Sequence, residues 1–322
     1  MGRYEDALRW LGLALEAGEA AQTEDRLAAM LGMAGLNEMA GNFTAASQWC
    51  EDVRRLADAM GSEAVVPMAL TYQAVSVLVA GGDAAPLLVD AIERADRLCD
   101  RLAAAEALWQ LGDTLLARGE YGAAGRRIDR ALALLNRQPD EGARRARYLA
   151  SRCIAAHLEG EGPHALVTGE EAVMLARGGK AYWGSVMGTA CAAHGLAIAA
   201  TGDTDGASTL LVEALQCVRQ SGHPLADADC LVAFGAAALL RGDTERAGRI
   251  LGAARAVMIS NGGSWRNAST GGLYVHYVRK VREALPANVA KRSRDEGRAM
   301  SRDEAIAYAL SSISSPGRGL AQ

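Results

Sequence analysis

The stretch Ala105–Leu134, AEALWQLGDTLLARGEYGAAGRRIDRALAL, decides the fold. Its apolar residues recur at helical spacing on both sides of Gly119, the pattern of two helices joined by a tight turn. Gly112 sits mid-helix, where glycine costs about 1 kcal/mol unless another backbone must approach it there. Ala124 and Ala131 fall where a helix crossing leaves no room for a larger side chain, and Pro139 closes the unit. The turn recurs along the whole chain, as GRYEDA from Gly2, GNFTAA from Gly41, GDAAPL from Gly82, GEYGAA from Gly119, GEGPHA from Gly160, GDTDGA from Gly202 and GDTERA from Gly242. Successive spacings are 39, 41, 37, 41, 42 and 40 residues. A period of roughly 20–50 residues marks a stack of two-helix units rather than one globular core.

The central unit resembles the tetratricopeptide repeat. Leu111-Gly112, Gly119-Glu120-Tyr121, Ala124 and Ala131-Leu132 match that family's pattern position by position. The same register puts Gly195 and Gly235 at the mid-helix glycine, and Ala7, Ala46, Ala165, Ala207 and Ala247 at the first small position. Ala14, Ala172, Ala214 and Ala254 take the second, where Val53 departs. The Gly82 unit is the weakest, with Leu87 and Arg94 in place of both alanines and a helix expected to shift by one residue. The resemblance implies an all-α, right-handed superhelical solenoid of six to seven helix pairs over residues 1–260. A C-terminal helical cap over 261–312 and a disordered tail over 313–322 complete the expectation.

The two ends carry separate information. Counting back from the turns, Arg3–Ala17 reads as the second helix of a pair, which leads us to expect the distal portion of a longer protein or a late start. After the helix through ILGAARAVMISNG, a loop is expected from Asn261 to Gly272, then a helix through YVHYVRKVREAL. In the closing SRDEAIAYALSS, Ser301 and Glu304 form a capping box. This ending resembles that of large multidomain signalling ATPases of the STAND class, including LuxR-type and SARP-type transcriptional regulators. The matching residues are Gly242-Asp243, Arg246-Ala247, Leu251-Gly252-Ala253-Ala254 and the run Glu296 to Leu310; the family's aromatic pair before Glu-Gly is missing.

Composition narrows the function. Half the residues are hydrophobic but only 5% are aromatic, so the interior is built from Ala, Leu and Val. A net charge of -4 offers no basic field for nucleic acid, and the Arg144–Arg147 and Lys291–Arg294 clusters read as solvated helix faces. The six cysteines, Cys50, Cys99, Cys153, Cys191, Cys217 and Cys230, contain no C-x-x-C pair and mostly fall on apolar faces, the pattern of reduced core thiols in a cytoplasmic protein. The weakly charged runs Val65–Gly82 and Ala181–Gly202 lie in repeat register and read as buried helices rather than membrane spans. Gly178-Gly179-Lys180 lacks the spacing and hydroxyl of a phosphate loop and reads as a turn. His157, His164, His194, His223 and His276 have no metal-ligand spacing, and neither a metal nor a cofactor is expected. Glu170-Glu171 and Asp227/Asp229 read as helix-end carboxylates, and no catalytic motif stands out.

What remains is the inner surface, which the first helix of each tetratricopeptide pair lines. The register of Glu106, Trp109 and Asp113, carried along the chain, adds Tyr72, Arg147, His157 and Asp229. An aromatic flanked by Arg and His suits a peptide or a small ligand with an acidic group. The competing reading packs Trp109 between repeats and lets Arg147 snorkel to solvent. Leu196, Ala199, Val232, Ala236 and Leu239 make the distal surface apolar, suited to an amphipathic helix. The expectation is a non-catalytic module binding a protein, peptide or small inducer, with an ATPase domain in cis or in trans. A stand-alone adaptor is the alternative, and an enzyme with a groove site comes last.

Overall fold

A computed structural model of the chain describes residues 2–18, 23–135, 141–178, 184–221, 226–261 and 269–311. The expected tail at 313–322, Gly179-Lys180, His223, Pro139 and most of the expected 261–272 loop lie outside the described residues. The described residues form helices and turns with no strand among them. Their contacts divide the described residues into two compact units, one of residues 2–141 together with Ser269–Gly271, the other of residues 142–221, 226–261 and 272–311.

The first unit carries α1 (Gly2–Ala17) and three pairs: α2 (Glu24–Met39) with α3 (Phe43–Met60), α4 (Val66–Val79) with α5 (Ala85–Leu98), and α6 (Arg101–Arg118) with α7 (Tyr121–Leu134). In the second unit α8 (Gly142–Glu159) pairs with α9 (Gly162–Gly178), α10 (Gly184–Ala199) with α11 (Thr204–Ser221), and α12 (Ala226–Leu240) with α13 (Thr244–Ser260). Three further helices follow: α14 (Ser269–Ala284), α15 (Ala287–Arg298) and α16 (Arg302–Ser311). Each first helix packs on its own second helix, and within a unit first helices also pack on one another, α2 on α4 on α6 and α8 on α10 on α12. The first helices α4, α6, α10 and α12 are therefore buried almost all round, whereas α3, α5 and α7 bury one stripe. The runs expected to be buried helices are α4 and α10, and no described helix is long and apolar enough to cross a membrane.

The turn explains the recurring glycine. At the end of α6, Gly119 takes φ 83°, and the next amide, Glu120 N–H, reaches back to the Leu115 carbonyl at 3.0 Å. A left-handed residue closing a six-residue ring is the glycine-terminated helix end. Glu120 is then the N-cap of α7, so only two residues separate the helices. The equivalent amides of Asn42, Glu161 and Asp243 make the same bond at 2.8, 2.8 and 3.0 Å. The weak unit differs as the sequence hinted, but by its turn: the left-handed residue is Gly81, at φ 88°, not Gly82, and α5 starts only at Ala85. Leu88 and Ala95 fill the positions expected for Leu87 and Arg94, and both are fully buried.

The mid-helix glycines sit where expected. A Cβ on Gly112 would lie 2.6 Å from Ile128 Cγ1 and 3.3 Å from the Ala124 carbonyl oxygen. On Gly195 it would meet the Ala207 oxygen at 3.3 Å, and on Gly235 it would meet Leu251 Cγ at 2.8 Å. Seven residues before each turn glycine, the other pairs place Ala34, Ala74 and Cys153, all buried. The Cys153 thiol points at the Ala165 carbonyl, 3.1 Å away, so a small side chain there does the work of the missing one. Both small positions are buried in the later pairs, but Ala14 of α1 is exposed, and the extended packing of α1 among the described elements is against α2. Cys99 departs from the expected thiol pattern: it is exposed and itself adopts φ 55° at the end of α5.

The C-terminal helices close on α13 and α12. Gly248 and Gly252, four residues apart, share one face of α13, and Ser293 and Gly297 share one face of α15. A Cβ on Gly297 would collide with the Arg249 carbonyl and one on Gly252 with the Arg294 carbonyl, so the two backbones touch. Arg249 adds ion pairs to Glu245 at 3.1 Å and Glu296 at 2.6 Å. Arg246 donates to the Tyr308 carbonyl at 2.5 Å and to Ser311 Oγ at 2.7 Å, its guanidinium stacked 4.3 Å over the Tyr308 ring. Arg302 pairs with Asp227, which is 2% exposed, at 2.5 Å. The capping box is present, Ser301 N–H donating to Glu304 Oε2 at 2.8 Å and Glu304 N–H to Ser301 Oγ at 3.3 Å. The loop before α14 is shorter than the sequence implied, because α14 already begins at Ser269.

Replacing Gly112 or Gly235 by Leu should destabilise the fold by about 1–3 kcal/mol through overpacking. Gly162→Ala, where an added methyl meets nothing within 4 Å, should stay within about 0.5 kcal/mol of wild type. Thermal unfolding of the three variants checks this, and equal melting temperatures would refute the close crossing.

Candidate functional site

The seven expected surface residues all fall on first helices: Tyr72 on α4, Glu106, Trp109 and Asp113 on α6, Arg147 and His157 on α8, and Asp229 on α12. They form two sets, one in each unit.

In the first unit, Glu106, Trp109 and Asp113 recur at i, i+3 and i+7 and so share one face of α6. Gln110 joins them, 4% exposed, beside Glu106 at 9% and Asp113 at 2%. Trp109 is half-buried. Carboxylates rarely sit this deep in a helix unless they are held by partners. Tyr72 stands on the adjacent helix α4, half-buried. Its hydroxyl would lie 3.2 Å from a Cβ on Gly35 of α2, so the glycine makes room for the phenol. Gly35 was not singled out in the sequence, and Tyr72 carries no signal that would have found it. The outcome is a band of acid, amide, indole and phenol chemistry on two packed helices.

In the second unit the residues do not gather. Arg147 and His157 are ten residues apart on α8, which turns them about 80° from each other around the helix axis. The Arg147 guanidinium lies 5.6 Å over the ring of its neighbour Tyr148. Asp229 is half-buried on α12, and the deeply buried carboxylate there is Asp227, committed to Arg302.

His157 has a partner that sequence reading missed. Its Nε2 lies 2.7 Å from the hydroxyl of Tyr277 on α14, 120 residues later, with the rings stacked 14° from parallel at 6.1 Å. Tyr277 is 2% exposed, and burial pushes its hydroxyl well above its ordinary pKa of 10. Burial, with His276 and Lys280 as positive neighbours, pushes His157 down from 6.5 to about 4. Burial likewise lowers His194 and His276. His164, which the sequence placed across the turn from His157, is exposed and sits 3.1 Å from the buried Arg152 guanidinium. A period-four apolar stripe in α14 was legible, but nothing local tied its tyrosine to α8. The burial of Cys50, Cys153, Cys191 and Cys230 pushes their thiols up, the first three to about 12, which leaves little reactive thiolate.

No known protein-family model matches this chain, and no curated protein is significantly similar to it.

The His157 shift has a sign that can be measured. Folding favours the neutral imidazole, so its contribution is intact above about pH 6.5 and is lost as pH falls toward about 4. That loss amounts to roughly 3 kcal/mol at most, with His194 and His276 adding in the same direction. Denaturant unfolding between pH 7 and 4 should show the decline, and His157→Phe should flatten it. A pH profile unchanged by the substitution would remove His157 from the account.

Proposed function

We propose that this chain is a non-catalytic binding module of tetratricopeptide-like pairs, six to seven in a right-handed superhelix, working in the cytoplasm. In this reading it is the sensor and scaffold arm of a STAND-type signalling ATPase or transcriptional regulator, with the ATPase domain in cis or in trans. The observation that carries the binding reading is the α6 face. Glu106, Trp109, Gln110 and Asp113 hold recognition chemistry on one rigid helix, with Tyr72 on the next. Side chains fixed on packed helices recognise a partner at little cost in lost freedom. The half-buried indole and phenol supply apolar contact to a partner, beside the buried acids and amide of α6.

Support for the regulator comes from the ending. Arg246, Gly252, Glu296, Gly297, Ser301 and Glu304, which carry the resemblance to signalling ATPases, each hold the α13–α15–α16 closure. An inducer would then act by favouring one arrangement of the pairs over another, and it can shift that balance only by its difference in affinity.

The test is ATP turnover by a STAND-type ATPase domain encoded with this chain, measured with and without the intact chain. Basal turnover should fall when the chain is present. Trp109→Ala combined with Tyr72→Ala should restore it by about tenfold, the effect of losing about 1.4 kcal/mol of coupling. Turnover indifferent to the chain would overturn the regulator reading, and bridging of two proteins without any effect on ATP would return it to an adaptor.

A further inference from the structure

The helix α14 is held differently from the rest of its unit. From α8 to α16, every other helix lies with its backbone close along a neighbour; α14 makes no such extended approach among the described residues. Its grip comes from side chains. Leu273, Tyr277, Val278 and Val281 form one buried stripe, while Val275, Arg279, Lys280 and Arg282 face outward. The stripe touches two separate places. Tyr277 hydrogen-bonds His157 near the C-terminal end of α8, and Val281 Cγ1 lies 3.4 Å from the Cβ position of Gly248 on α13. An amphipathic helix anchored through i, i+4, i+5 and i+8 side chains is how a helical peptide sits on a receiving surface.

The elements on either side of α14 are fixed independently of it. Before it, α13 is packed on α12; after it, α15 meets α13 backbone to backbone at Gly252 and Gly297. Beyond these, α16 is clamped by Arg246 and Arg302. Only Leu285 and Pro286 join α14 to α15. Lifting α14 therefore breaks the Tyr277–His157 bond and uncovers its stripe, while the closure of α13 by α15 and α16 stays made.

We propose that α14 is a resident self-ligand, and that the α8 surface around His157 is a docking site for a partner's amphipathic helix. The partner helix would carry a tyrosine with aliphatic residues at −4, +1 and +4, the pattern of Leu273, Tyr277, Val278 and Val281. The inference rests on the reading of the chain as a binding module and deepens it by naming a second surface and its ligand. A tethered ligand competes at an effective concentration near millimolar. A partner must therefore outbind α14, and its apparent affinity is weakened by the closed-to-open ratio.

Native-state hydrogen exchange on the intact wild-type chain tests the first half without any substitution. Amides of α14 should open at least about tenfold more often than those of α13 and α15. Opening of all three helices as one unit would overturn the proposal. The second half uses a labelled synthetic peptide of the α14 sequence, Ser269–Ala284, titrated into wild type and into Tyr277→Ala. The variant should bind the peptide about tenfold more tightly than wild type, since its own helix competes less, and adding His157→Ala should abolish the gain. Equal binding to wild type and Tyr277→Ala, or no binding to either, would overturn it. Neither failure touches the α6 face or the ATPase measurement, so the two readings fall separately.

Discussion

Everything in this molecule depends on how closely two helix backbones approach within a pair. At Gly112 and Gly195 a Cβ on the first helix would lie 3.3 Å from an alanine carbonyl oxygen of the second, tighter than ordinary contact, and at Cys153 the thiol itself reaches that carbonyl. The approach fixes the crossing, and the two-residue glycine turn fixes which faces meet. With the pair rigid, its first helix can be buried on nearly all sides and still carry polar groups at chosen positions. Ion pairs between successive pairs, such as Arg130 with Asp96 at 2.8 Å and Arg177 with Glu213 at 2.7 Å, trim the outside. Each is about half exposed and contributes little.

The C-terminal closure uses the same device more severely. There backbone meets backbone at Gly252 and Gly297, Gly248 makes room for the Ser293 side chain, and arginines on α13 and α16 secure the contact. The residues on which the resemblance of this ending to signalling ATPases rests are thus explained by packing before any regulatory role is invoked. Their spacing is what lets two short helices cover the last pair. α14 stands outside this scheme, held through side chains that include a buried stripe and the Tyr277–His157 hydrogen bond, and this contrast makes it the candidate for movement.

Much of the fold was legible because its signals are local. Turn glycines, alanines at fixed offsets and a helical apolar period are read within one pair, so Gly112, Gly195 and Gly235 could be placed from sequence alone. The Gly82 unit misled by one residue because two adjacent glycines both suit a left-handed turn, and only the start of α5 separates them. The four-residue spacing of Gly248 with Gly252 and of Ser293 with Gly297 was visible, yet nothing in it says which helices meet. The candidate site was harder. Helical phase could place Glu106, Trp109 and Asp113 on one face, since they lie within about two turns of one helix. It could not find Tyr277 opposite His157, because their pairing depends on where a helix 120 residues away comes to rest.

The close crossing is tested most directly by a double-mutant cycle on Gly112→Ala and Ile128→Ala, read by denaturant unfolding. Ile128 supplies the atoms nearest the missing Cβ. The two substitutions together should cost less than the sum of their separate costs, with a coupling of about 1 kcal/mol or more. Additive costs would mean that the two residues do not share that space, and would contradict the account of how every pair is built.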